Sequence, residues 1–189
     1  MDERDLKRFI NIPTLTTERL KLRRLTPRDA EDVYSYASDP RVPLYLLWDA
    51  HRSLSDTKRY LAEVDRKYKR GSYYDWGVVY GGRVIGTVGF TRFSCIDNLG
   101  EVGFVMHRDF WGRGLGAEAV RAVIKYGFET LLLNRIEARY LPENLASRRV
   151  TEKCGMTYEG TFRKAIAVKG EYRDLSVSAI LSDEYFEKL

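Results

Sequence analysis

The chain has 189 residues, 44% hydrophobic and 31% charged, a balance that supports one substantial core and excludes a disordered chain. No apolar run approaches the ~20 residues of a membrane-spanning helix, and the opening Met1-Asp2-Glu3-Arg4-Asp5 has no apolar stretch of the secretory kind, so a cytoplasmic protein with no membrane partner is expected. The net charge of +5 comes from bases interleaved with acids, as in Glu171-Tyr172-Arg173-Asp174, which reads as a solvated surface, and no direct nucleic-acid partner is expected.

In chain order, residues 1–13 read as a polar arm on a single domain spanning 1–189. Leu20, Leu22 and Arg24 alternate as a strand, and Thr26-Pro27-Arg28-Asp29 carries the signals of a helix start, followed by Ala30, Val33 and Ala37 on one face. Ser53 opens a second helix with Leu61, Val64 and Tyr68 at helical spacing, and Gly71 ends it. The period then switches to two: residues 74–80 and 83–90 flank Gly81-Gly82 as a hairpin, and Gly100–Met106 forms a third strand. A helix from about Gly116, a strand from Arg135 to Leu141, a short helix from Asn144 to Cys154 and two strands around Lys169-Gly170 complete the order β-αα-βββ-α-β-α-ββ. This predicts an α/β fold with a mixed sheet of about six to seven strands and helices on both faces. Cys95 and Cys154 are too few for a disulfide framework, and His51 and His107 too scattered for zinc, so no metal is expected.

The third strand runs straight into Trp111-Gly112-Arg113-Gly114-Leu115-Gly116-Ala117 and then a helix. A strand–glycine turn–helix unit aims several backbone N–H groups, and the positive end of the helix dipole, at one point suited to a phosphate. The pattern G-x-x-x-x-G-K-[ST] is absent, and Gly112, Gly114 and Gly116 run G-x-G-x-G rather than the dinucleotide spacing. By elimination a pantetheine nucleotide is the better occupant, against the plain alternative of a glycine turn closing a crossover.

Several segments together resemble the GNAT superfamily of acetyltransferases, in particular its ribosomal-protein alanine N-acetyltransferase branch. They are Leu15–Arg23, Gly100-Glu101-Val102-Gly103-Phe104, Phe110–Ala119, Glu143–Val150, Glu152–Met156 and Gly170–Asp174. Trp111 stands where the general superfamily pattern has Gln or Arg, and is similar to the ribosomal branch. The resemblance implies acetyl-CoA lying where two parallel strands, ending near Met106 and Tyr140, splay apart. Phe104, Val105 and Met106 would then offer backbone groups to the pantetheine and an N–H to the thioester oxygen, and Arg113 to Ala117 would hold the pyrophosphate. Asn144 would contact pantetheine, or cap the helix that begins there, and Ser147 would lie near the sulfur.

Direct transfer needs a neutral amine, and a peptide α-amine near pKa 8 deprotonates far more readily than a lysine near 10.4. Glu101 and Glu137, on the two strands flanking the cleft, are the candidate bases; Glu101 could instead partner an arginine such as Arg92 or Arg139, and Glu137, alternating with Arg135 and Arg139, is expected more in a cross-face ion pair than as the base. The strand Lys164–Val168, which carries a proposed base in the ribosomal branch, offers Ile166 and no carboxylate. The aromatic segment 42–51, with Tyr73, Tyr74 and Trp76, is a candidate acceptor entrance or core, and His51 is expected at the surface. The expected acceptor is a protein N-terminal amine; a small amine, a non-catalytic acyl-CoA-binding regulator and a basic RNA binder are the alternatives. The protein is expected to be a monomer or homodimer.

Overall fold

A computed structural model describes residues 12–71 and 74–187. Its eight strands, β1 (Leu15–Thr16), β2 (Lys21–Arg23), β3 (Tyr74–Tyr80), β4 (Arg83–Ser94), β5 (Leu99–Met106), β6 (Arg135–Tyr140), β7 (Thr157–Val168) and β8 (Glu171–Leu181), form one mixed sheet in the order β1-β2-β3-β4-β5-β6-β8-β7. The helices are α1 (Ala30–Ala37), α2 (Leu54–Lys69), α3 (Leu115–Glu129), α4 (Leu145–Lys153) and α5 (Ser182–Phe186). Six to seven strands were expected and eight are present. The addition is β1, whose two residues pair with Leu22 and Lys21 but are too short to show a period. The polar arm expected over residues 1–13 falls almost wholly outside the described residues.

Local chemistry explains where the first helices begin. The Asp29 carboxylate accepts the Thr26 N–H (2.7 Å) and hydroxyl (3.0 Å) and is gripped by both terminal nitrogens of Arg23. Residues Pro27–Asp29 are thereby wound into a 3-10 turn, and the α-helix proper starts at Ala30. Burial alone would raise the Asp29 pKa; the Arg23 and Thr26 hydrogen bonds outweigh it and hold the carboxyl below its usual range. Ser53 caps α2 by accepting the Asp56 N–H, and Leu61, Val64 and Tyr68 are buried as their spacing requires.

The two faces of the sheet are covered differently. On one, α3 packs against Phe90, Leu133 and Ile136, whose side chains meet Gly127, and Tyr126 lies edge-on to the fully buried Trp76 at 5.5 Å. On the other, α1, α2 and the loop between them stand over a chamber whose floor is the alternate positions Asp75, Thr87, Gly103 and Val105. The floor is interrupted on one side. Strands β5 and β6 pair in parallel only at Leu99↔Arg135, Gly100↔Ile136 and Glu101↔Glu137, although they continue to Met106 and Tyr140. Beyond Glu101 the sheet is open in its middle, while β6 stays zipped to β8 as far as Tyr140↔Ser176.

Candidate active site

The glycine turn sits at the end of β5. Gly112 and Gly114 have φ of 74° and 77°, left-handed values that other residues adopt only under strain, and Gly114 is the residue on which α3 starts. Among the described residues, no acceptor takes up the backbone N–H groups from Gly112 to Ala117; the ladder resumes with the Glu118 N–H bonded to the Gly114 carbonyl. Trp111 fixes the turn from the strand side, its indole N–H donating to the Met106 carbonyl at 2.8 Å.

From the other side the turn is held by the segment that joins β1 to β2. The Glu118 carboxylate accepts the Thr17 hydroxyl (2.6 Å), the Arg19 N–H (2.9 Å) and the Arg19 Nε (2.7 Å), while Arg19 Nη1 donates to the Arg113 carbonyl (3.1 Å). Burial acts to raise the Glu118 pKa, but these hydrogen bonds prevail and hold it below 4.5. A carboxyl with a depressed folded-state pKa stabilises the fold above its unfolded value and loses that contribution as pH falls through the folded one. Glu118→Gln is therefore expected to cost about 1–2 kcal/mol at pH 7, the half-exposed Arg19 limiting the size. Urea denaturation at pH 7 and again below pH 4.5 checks this; the gap from the parent protein should narrow in acid.

The open gap presents the main chain of β5. The His107 N–H donates to the Ile85 carbonyl, which sets the phase of the β4–β5 ladder, so odd-numbered residues of β5 bond β4 and the N–H and C=O of Phe104 point into the gap. Of the expected trio, Val105 is thus committed to β4, while both main-chain groups of Phe104 and the N–H of Met106 face the gap, the Met106 carbonyl being taken by Trp111. Across the gap, Asn144 caps α4, its Oδ1 accepting the Ser147 N–H at 3.1 Å, which is the capping arrangement. Both side chains border the cavity, and no described hydrogen bond engages the Ser147 hydroxyl. Cys154, at the far end of α4, donates to the Ala117 carbonyl, and burial pushes its thiol up to about 12, so it is an inert clamp between α4 and α3.

Glu101 and Glu137 occupy the last closed rung, side by side on the chamber face. Glu137 is buried and bonded by Arg139 (Nη2, 2.9 Å) and Arg135 (3.3 Å), and Arg135 also pairs with Glu159. Glu101 is held more loosely: Arg139 Nε stands 3.4 Å from one oxygen, and the Thr91 hydroxyl donates to the other at 3.0 Å. Gly103 makes room for this, because a Cβ there would lie 2.5 Å from the Thr91 methyl group. Arg139, not Arg92, is the arginine that reaches Glu101. The chain has three carboxylates here against two guanidiniums, and the one facing the open chamber is Glu101.

The chamber has a volume of about 630 Å³ and is walled by Tyr36 of α1, the loop residues Tyr45 and Trp48, Tyr60 of α2, and Ile166 of β7. Its loop wall is tied to the β7–β8 turn, where the Lys169 ammonium donates to the Pro43 carbonyl at 3.0 Å and stands 3.6 Å from Asp49. Lys169→Met is expected to raise the acceptor KM about three- to tenfold with little change in kcat, as one charge-assisted bond is removed from a wall and not from the reacting centre; steady-state kinetics with varied acceptor checks it. His51, expected at the surface, is half-buried in the same wall. Its Nδ1 lies 2.8 Å from the Thr57 hydroxyl, and burial lowers its pKa below 6.5, so the ring is neutral at pH 7. Trp76 and Tyr74 belong to the core, with the Trp76 indole N–H bonded to the Pro13 carbonyl, while Tyr73 lies outside the described residues. Sequence reasoning passed over Asp75, which lines the chamber floor opposite Trp76; its signal was an acid alternating with two buried aromatics on β3.

Residues 19–157 match the family model described as an acetyltransferase (GNAT) domain. The chain belongs to the GNAT acetyltransferase family. It is 33% identical over 174 residues to the uncharacterized N-acetyltransferase p20 of Bacillus licheniformis, covering 91% of this chain and 98% of that one. It is 26% identical over 190 residues to the ribosomal protein uS5-alanine N-acetyltransferase of Escherichia coli, covering 93% and 95%. Among solved structures, a GNAT-family acetyltransferase from Bacillus anthracis superposes with a TM-score of 0.81 at 32% identity, covering 91% of this chain and 100% of that one. This acetyltransferase thus resembles the ribosomal branch, and its co-substrate is acetyl-CoA. The residues fit that molecule: unclaimed N–H groups from Gly112 to Ala117 suit a pyrophosphate, and an open strand edge suits the amide-bearing pantetheine arm. Among the described residues, no group of three or more His, Cys, Asp or Glu could hold a metal ion, and no helix is long and apolar enough to cross a membrane.

Proposed function

We propose that this acetyltransferase moves the acetyl group of acetyl-CoA directly to the N-terminal α-amine of a protein. The observation that carries the reading is the chamber itself, which opens from the gap at Glu101, has carboxylates only on its floor, and shares one of them with Arg139. A polyamine or aminoglycoside calls for several acids around each cation, whereas an α-amine needs one base and loses its proton near neutral pH. The named relative that acetylates ribosomal protein uS5 supports the same class of acceptor. Nascent chains and acetyl-CoA meet in the cytoplasm, where the reading places the protein.

In this reading the loop from Trp111 to Ala117 seats the pyrophosphate, and the Phe104 N–H stabilises charge that builds on the thioester oxygen. Glu101, oriented by Thr91, takes the amine proton through water, and the Ser147 hydroxyl donates to the departing sulfur, which needs little help because thiolates leave readily. The deciding experiment is thiol release from acetyl-CoA with peptides bearing free N-termini, N-blocked lysine peptides, spermidine and an aminoglycoside. Turnover is expected with free N-termini, and turnover restricted to the lysine peptides or the small polycations would overturn the proposal.

A further inference from the structure

The chamber's walls constrain what is attached to the amine. The charged side chains that line the chamber (Asp75, Glu101, Arg139) lie on the sheet floor, and the polar groups of its walls are limited to the His51 ring, the Trp48 indole N–H and tyrosine hydroxyls. Above the floor stand Tyr36, Tyr45, Trp48, Tyr60 and Ile166, contributed by four separate segments, and Tyr45 and Leu47 remain partly exposed at the rim. A peptide backbone brings an N–H and a C=O with every residue, and walls built mostly of ring and aliphatic carbon offer few partners for them, so groups left unpaired there carry a cost. An apolar side chain has the opposite preference, gaining about 1.5–3 kcal/mol on full burial. An amine on a small residue such as alanine would leave the ring-lined part of the chamber, away from the donor gap, without an apolar side chain to fill it.

From this we infer that the acceptor amine is carried on a bulky apolar group: for a protein acceptor, an N-terminal leucine, isoleucine, methionine or phenylalanine in preference to alanine or serine. The inference rests on the N-terminal reading, and its test separates the two. Peptides that differ only in the first residue (Phe, Leu, Ala, Ser, Asp) are compared by kcat/KM at saturating acetyl-CoA, with phenylethylamine and ethylamine alongside. Phe and Leu peptides are expected to exceed Ala and Ser by about 10- to 200-fold, and Trp48→Ala to shrink that ratio mainly by raising KM for the Phe peptide. Parity, or preference for Ala and Ser, overturns the inference and leaves the N-terminal reading intact. If no peptide is acetylated but phenylethylamine outpaces ethylamine by a similar factor, the apolar preference holds and the N-terminal reading fails. Equal use of the two small amines in that case overturns both.

Discussion

Glu101→Gln is expected to lower kcat by about 10²- to 10⁴-fold, the usual worth of a positioned base, while the Kd for acetyl-CoA stays where it was. The substitution keeps the shape of the side chain and its bond from Thr91, and releases only the loosest partner of Arg139. Arg139 keeps Glu137 at 2.9 Å, so the ion-pair network beneath the gap survives. A purely structural Glu101 would instead show its loss in thermal stability, with kcat and the shape of the pH–rate profile unchanged. Measuring kcat from pH 6 to 9 with a free-N-terminal peptide, alongside calorimetric unfolding, distinguishes the two. An unaltered profile with undiminished kcat would remove Glu101 from the mechanism. His51, neutral and in the same wall, would be the next residue to replace.

Gly114→Val is expected to weaken acetyl-CoA binding by at least about 100-fold. At φ 77° a β-branched residue carries roughly 1–3 kcal/mol of strain, which the turn can relieve only by rotating its N–H groups away from their common focus. Each charge-assisted hydrogen bond that the pyrophosphate then forgoes adds about 1.5–3 kcal/mol. The space around the position is open, and the nearest group a Cβ there would meet is Arg19 Nη2 at 3.6 Å, so the effect is conformational and the core is spared. Titration calorimetry with acetyl-CoA should show the weakening while the far-UV spectrum stays that of the parent. Binding within a fewfold of the parent would mean that the turn does not hold the pyrophosphate.

How much of this could be read in the sequence depends on whether the cause was local. The glycine turn, the strand feeding it, the Gly81-Gly82 hairpin and the Asn144 cap were legible, because each depends on residues within one turn of the chain. The face shared by Glu101, Gly103 and Val105 was legible too, since alternation fixes it. Asp75 obeys the same alternation and was missed, because its neighbours Tyr74 and Trp76 drew attention to the aromatic side of β3, which proves to be core. The chamber walls were not legible. Tyr36, Tyr60, His51 and Ile166 are brought together by four elements whose packing no local pattern encodes. The pairing of Arg139 with both glutamates depends likewise on the β5–β6 register, which stops at Glu101↔Glu137.

That early stop has a kinetic meaning. With only three rungs joining β5 to β6, the chamber floor consists of two leaves, β1–β5 and β6–β8, joined along one short edge. On the proposed reading, a donor seated in the gap would bond to the free edge of one leaf and touch α4 on the other, splicing them. The acceptor would then meet a finished floor only after the donor had arrived, an arrangement that would favour loading acetyl-CoA first and releasing coenzyme A last.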